Sequence, residues 1–187
     1  NYNNLSRFLK IANEKEGLNM GMRNITVSTC GIVPMIERFG VDFPQVNLAI
    51  SLHGANNEVR SKMMPVNNSY PLENLLKAAK EYANTTSRRI TFEYALVRGI
   101  NDSKEDAKEL AKQLKGILCH VNLITLNKVE ETGFHSSSRK IAENFRDDLE
   151  RKGIPTTIRR ELGSDIDAAC GQLRSKTMKA DKKKQPD

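Results

Sequence analysis

The sequence predicts an α/β fold built on a parallel sheet, and two observations carry that prediction. Helix-period and strand-like segments alternate along the chain in the rhythm α-β-α-β-α-β-α-β-α-β, which implies parallel strands with helices packed outside them. The strand-like segments are short and rich in apolar or β-branched residues, and one of them, VNLAISL at 46–52, is a near-continuous apolar run of the kind a buried strand shows.

Each element has its own signal. Leu5, Phe8, Leu9 and Ala12 recur at i, i+3, i+4 and i+7, so the chain opens on an amphipathic helix. NITVST at 24–29 is short and β-branched and reads as the first strand. A brief helix over 35–38 follows Pro34, and the strand at 46–52 comes next. Pro71 suits the first turn of a helix whose apolar face is Leu72, Leu75, Leu76 and Ala79. ITFEYALV at 90–97 is the third strand. Asp102 or Ser103, with Glu105 or Asp106 three residues on, resembles a capping box for a helix that buries Ala107, Leu110, Ala111 and Leu114. HVNLITL at 120–126 is the fourth strand. Ile141, Phe145 and Leu149 mark a helix ended near Gly153, and 156–160 is the last strand. No internal repeat or Gly/Ser linker interrupts this run, so 1–173 is expected to be one domain, followed by a basic, disordered tail over 174–187.

Composition excludes several classes. Charged residues make up 28% of the 187 and no apolar run approaches the roughly 20 residues a membrane span needs, so no membrane role is expected. No secretory signal is visible, and the chain starts at Asn1 in helix-like sequence, so a portion of a longer cytoplasmic protein is expected. The three cysteines, Cys30, Cys119 and Cys170, are far apart and odd in number, which argues against a disulfide framework and for a reducing compartment. No C-x-x-C occurs, so no metal or cluster site is complete within the chain. Net charge is +7, of which the tail from Arg174 to Asp187 supplies +4 (six Lys or Arg against two Asp). Such a tail can lean on phosphates, or be a solvated end.

In parallel α/β folds ligands gather at the carboxyl ends of the strands. The residues placed there are Ser28 and Thr29, then Ser51, Leu52 and His53, then Arg98 and Asn101, then Asn127. They suit hydrogen bonding to a nucleoside or amino-acid group, and they equally suit helix caps and turns. His53 precedes a glycine and lacks companions at ligand spacing, so it reads as a hydrogen-bonding or structural histidine rather than a metal ligand. Cys30 and Cys119 read as packing or neutral residues. Cys170 in DIDAACGQL sits between small residues, Ala168, Ala169 and Gly171, and is either a buried filler or a nucleophile with room around its sulfur.

Taken in order, TVSTCGIVP, ISLHGANNEVRSKMMPVN, VRGINDSKEDA, VNLITLN and DIDAACGQL resemble the RlmN/Cfr family of radical S-adenosylmethionine (SAM) enzymes that methylate adenine in ribosomal RNA. The resemblance runs over nearly the whole chain except the tail, and TTIRRELGSDIDAACGQLR is more similar to the RlmN, adenine-C2 branch than to the C8-methylating Cfr branch. It implies the C-terminal portion of a radical SAM partial (β/α) barrel. The family's C-x3-C-x2-C cluster motif, its G-E-P motif and its second catalytic cysteine lie upstream of the segment matched here. At Lys128 the chain departs from the family's usual Asn-Pro.

What the resemblance implies for function is specific. Carbon 2 of adenine is too electron-poor to attack the methyl group of SAM, so the family routes the methyl through a cysteine. Cys170 matches that cysteine, first methylated as a thiolate and then activated by the 5′-deoxyadenosyl radical that a [4Fe-4S] cluster draws from a second SAM. Ser28, Ser51, Leu52, His53 and Asn127 match the family's SAM-binding residues. Expected partners are 23S rRNA, transfer RNA and an electron donor for the cluster. Arg98, Arg159, Arg160 and Arg174 are candidate phosphate contacts, and the target adenine is expected to leave its stack. The portion alone is expected to be inactive. The competing readings are a C8-type methyltransferase and a SAM- or RNA-binding module without chemistry.

Overall fold

The computed structural model describes residues 1–126 and 133–160. Cys170, Asn127, Arg174 and the tail therefore lie outside the described residues. Five strands, β1 (Thr26–Thr29), β2 (Asn47–Ser51), β3 (Ile90–Leu96), β4 (Cys119–Thr125) and β5 (Thr156–Ile158), form one sheet in the order β1-β2-β3-β4-β5. Every neighbouring pair is parallel. Sequential order means that each right-handed crossover steps the same way, so the connecting helices fall on one face of the sheet. A doubly wound sheet would reverse its order and cover both faces.

The helices are α1 (Tyr2–Asn13), α2 (Val33–Asp42), α3 (Asn57–Met63), α4 (Leu72–Thr86), α5 (Lys104–Leu114) and α6 (Arg139–Glu150). Their boundaries follow local chemistry. Pro34 stands in the first turn of α2. Ser103 and Asp106 complete a capping box at α5, which resolves the choice the sequence left open. Ser138 caps α6 through the amide of Ile141. The core lies between helices and sheet: Leu48, Ile50, Phe92, Tyr94, Leu96, Val121 and Leu123 are all buried against Leu9, Leu75, Leu110 and Phe145. Tyr94 stacks on Phe145 at 5.4 Å between ring centres.

Several elements differ from the sequence expectation. The first strand begins at Thr26 rather than at residue 24, because Met22–Asn24 form a 3₁₀ turn. The brief helix expected over 35–38 extends over Val33–Asp42, since Gly40 does not break it. A β-carbon at Gly40 would come within 3.1 Å of the Tyr82 ring, so the glycine lets α2 pack closely on α4. Phe8, expected on the buried face of α1, is 54% exposed, while Leu9 and Ala12 on that helix are fully buried. Helix α3 was not anticipated.

Candidate functional site

The strands alternate their side chains between two faces, and the pairing register decides which residues share one. Thr26 pairs with Asn47, Ser28 with Ala49, Ala49 with Thr91 and Ser51 with Glu93. Thr91 pairs with His120, Glu93 with Asn122 and Asn122 with Thr157. All these residues occupy the face away from the buried core, and all but Ala49 are polar and partly or fully exposed. Ser28 and Ser51 lie on this face near its carboxyl edge.

Beyond β2 the chain turns sharply. Leu52 is buried, and its amide donates to the Glu93 carbonyl at 2.9 Å, which extends the ladder by one residue. Its side chain belongs to the core, so only its backbone can face a ligand. His53 adopts a left-handed conformation, φ 57°, uncommon for a residue with a β-carbon. Two hydrogen bonds hold it there. Its Nδ1 accepts from the Ala95 amide at 3.0 Å, taking the place of the carbonyl that β2 no longer supplies. Its carbonyl accepts from Asn101 Nδ2 at 2.9 Å. Burial, assisted by the nearby Arg60 charge, lowers the His53 imidazole to about 4. The ring is therefore neutral at physiological pH. With Nδ1 accepting, the proton sits on Nε2, and His53 presents an N–H donor.

Asn101 is fully buried, and its side chain is committed to protein partners. Its Oδ1 accepts from the Val97 amide at 2.7 Å, and its Nδ2 donates to the Ala95 carbonyl at 2.8 Å as well as to His53. This settles Asn101 as a structural pin between the ends of β2 and β3 rather than a ligand group. Arg98 is exposed, and its amide donates to the His135 carbonyl at 2.9 Å. Arg159 and Arg160 are exposed at the end of β5. Cys119 is buried in the core, where desolvation pushes its thiol up to about 11, as a packing residue requires. Cys30 is exposed.

Sequence reasoning missed Arg60. It projects from α3, is fully buried, and binds the carboxyl ends of the first two strands together. Its guanidinium donates to the Cys30 carbonyl at 2.9 Å, to the Ser51 carbonyl at 3.5 Å and to Asn67 Oδ1 at 2.9 Å. Its Nε has no partner among the described residues. Burial pulls its pKa below the usual guanidinium range. Two glycines make room for it: a β-carbon at Gly31, where φ is 103°, would lie 2.9 Å from the guanidinium, and one at Gly54 would lie 2.7 Å from the Arg60 amide nitrogen. The Gly residues in TCGIVP and SLHGANN were the available signal.

No group of three or more His, Cys, Asp or Glu side chains that could hold a metal occurs among the described residues. The edge offers instead the hydroxyls of Ser28 and Ser51, the His53 Nε2 donor and open backbone groups. That donor set fits a zwitterionic nucleoside such as SAM and does not fit an iron–sulfur cluster, which needs thiolates.

A sequentially ordered parallel sheet, with helices on one face and polar groups gathered at the carboxyl edge of the other, defines an α/β domain of the partial-barrel type found in radical SAM enzymes. Among solved structures, a radical SAM methyltransferase from Sphaerobacter thermophilus superposes with a TM-score of 0.86 at 47% identity, covering 90% of this chain and 49% of that one. A domain of pyruvate-formate lyase-activating enzyme from Bacteroides vulgatus shares the fold, with a TM-score of 0.65 at 18% identity over 85% of this chain and 91% of that one. Curated relatives bear the name "Probable dual-specificity RNA methyltransferase RlmN". The Clostridium novyi protein is 56% identical over 174 residues, 93% of this chain and 51% of its own length. That of Thermoanaerobacter sp. strain X514 is 54% identical over 179 residues, 96% of this chain and 52% of its own. No family model matches. The chain is a relative of the RlmN proteins along nearly all of its length, and it spans about half the length of the curated relatives it matches.

Proposed function

We propose that the full-length protein is a radical SAM RNA methyltransferase acting on carbon 2 of adenine in 23S rRNA and transfer RNA. The observation that carries this reading is the identity of 56% to an RlmN protein across 93% of the chain. The convergence of Ser28, Ser51 and His53 at one sheet edge supports it. In this reading the hydroxyls of Ser28 and Ser51, the backbone of Leu52, the Nε2–H of His53 and the side chain of Asn127 hold SAM. SAM and a [4Fe-4S] cluster, ligated by residues outside this chain, supply the methyl group and the radical chemistry. The protein's part is orientation and exclusion of water. His53 is suited to orientation because its ring is fixed at Nδ1 and does not gain a charge near neutral pH.

Cys170 is the proposed methyl carrier, held as S-methylcysteine before transfer. Tryptic mass spectrometry of the full-length protein is expected to find a methyl group on the Cys170 peptide, and Cys170→Ala is expected to abolish methylation of adenine. An active preparation with unmodified Cys170 removes that residue from the mechanism. Methylation at C8 instead of C2 would assign the protein to the Cfr type. The absence of cluster cysteines from the full-length sequence would leave a binding module.

For RNA, Arg98, Arg159, Arg160 and Arg174 are the proposed phosphate contacts, with Arg174 on the basic tail. Reversing one charge is expected to weaken RNA binding and to flatten the dependence of affinity on salt by about one counterion. An unchanged slope rules that residue out. A reducing cytoplasmic setting with an electron donor for the cluster follows from the same reading. Among the described residues no helix is long and apolar enough to cross a membrane.

A further inference from the structure

Four polar side chains stand in one row across the open face of the sheet. Ser51 pairs with Glu93, Glu93 with Asn122, and Asn122 with Thr157, so the row crosses β2, β3, β4 and β5 at one level. Three of its members are linked. Asn122 Nδ2 donates to Glu93 Oε2 at 2.9 Å, and Thr157 Oγ1 donates to Asn122 Oδ1 at 3.3 Å. His120 Nε2 lies 3.1 Å from the same Thr157 hydroxyl. The amide of Asn122 thus anchors one carboxylate oxygen of Glu93 and fixes the plane of the group.

Glu93 is the member without a structural account. It is half-buried, and no Lys or Arg forms an ion pair with it among the described residues. The described ion pairs all join residues of the helices or their ends, none of them a strand residue. A carboxylate on a sheet face with only a neutral amide as partner retains acceptor capacity, and desolvating it without new donors is costly. The neighbours of Glu93 on that face are small: Ala95 follows two residues on in β3, and Ala49 precedes Ser51 by two in β2, both of them buried. Glu93 pairs directly with Ser51, the last residue of β2, one turn of chain before His53.

We propose that Glu93 is a further ligand-binding residue of the SAM site, its carboxylate accepting hydrogen bonds from the ribose hydroxyls of the adenosyl group. This rests on the SAM reading above and adds a residue to it. A vicinal diol presents two adjacent donors, which match the two oxygens of one carboxylate. The donor at the carboxyl edge, His53 Nε2–H, suits the anionic end of the same ligand. A ligand whose carboxylate meets that edge lays its uncharged sugar further along the face, at the level of the Ser51–Glu93 row.

The test measures equilibrium binding to the full-length protein and its Glu93→Gln variant. The probes are SAM, S-adenosylhomocysteine and the 2′-deoxy analogue of S-adenosylhomocysteine. Glu93→Gln keeps the side-chain shape and its acceptance from Asn122 but removes the charge, and its thermal midpoint reports whether the fold is intact. The expected result is an equal loss of about tenfold in affinity for SAM and S-adenosylhomocysteine. The 2′-deoxy analogue should bind wild type more weakly and lose little further on substitution. Unchanged affinity for S-adenosylhomocysteine overturns the proposal. So does a loss confined to SAM, which would mean that Glu93 senses the sulfonium charge, and so does an equal loss for the 2′-deoxy analogue. Wild-type protein that binds none of the three overturns the SAM reading itself, a result distinct from wild-type binding that Glu93→Gln leaves untouched.

Discussion

The two faces of the five-stranded sheet are made by the same strands, residue by residue in alternation, and they have opposite chemistry. On β3 the face toward the helices carries Ile90, Phe92, Tyr94 and Leu96, all fully buried, while the other face carries Thr91, Glu93 and Ala95. On β4 the same division sets Val121 and Leu123 against His120 and Asn122. One face holds the protein together, and the other carries polar side chains, several of them hydrogen-bonded to one another. A sheet wound in both directions would need two apolar faces. Sequential winding needs only one, which releases the second for binding.

The largest expected effect breaks the apolar face. Phe92→Ala removes a ring that is 0% exposed in the middle of the central strand, and it is expected to cost about 3–5 kcal/mol in urea unfolding. A loss below about 1 kcal/mol would mean that the helices do not pack on the sheet as described.

The next effect concerns the edge where the faces meet. The unfolded His53 imidazole takes a proton near 6.5, whereas the folded one is lowered to about 4 by burial. Its contribution to stability is complete above 6.5 and is lost as pH falls through the interval to 4, amounting to about 3 kcal/mol. The His120 pKa is also lowered and acts in the same direction, so wild type alone does not isolate His53. His53→Asn does, because asparagine tolerates the left-handed backbone and offers an oxygen to the Ala95 amide. The difference between the two proteins should shrink toward acid pH. Parallel pH profiles would show that His53 is not buried as a neutral ring.

A smaller effect tests the helical layer alone. Ser103→Ala removes the side chain that caps α5 through the Asp106 amide and receives that residue's carboxylate in return. About 1 kcal/mol of destabilisation is expected, with no change in ligand affinity.

The apolar face was legible in the sequence, and the polar face was not. Phe92, Tyr94, Val121 and Leu123 lie in runs that announce strands at once. Thr91, Glu93, His120 and Asn122 occupy the alternate positions of those runs, a period of two that marks a sheet buried on one face only. Helix α3 has seven residues, too few for a periodic face, so only its Asn56 cap could have announced it. Arg60 looked like an ordinary surface cation because its acceptors, the Cys30 and Ser51 carbonyls, are 30 and 9 residues away and belong to strand ends that only the fold brings together. The position of Ser51, Leu52 and His53 at a carboxyl edge was readable from local pattern. Their division into a face residue, a core residue and a clamped left-handed residue depends on β3. Asn127 and Cys170 lie outside the described residues, so sequence resemblance alone supports their roles.

The smallest expected effect sharpens the comparison most. Glu93→Gln should change unfolding free energy by no more than about 0.5 kcal/mol, although Glu93 is next in sequence to Phe92. Glutamine keeps an oxygen for Asn122 Nδ2, and Glu93 has no cationic partner to lose among the described residues. The adjacent substitutions would then differ roughly tenfold in energetic cost because their side chains point to opposite faces of one strand. A loss of 2 kcal/mol or more on this surface-type scale would show that the row from Ser51 to Thr157 is a structural network. The open face would in that case be partly committed to stability, and less of it would remain for a ligand.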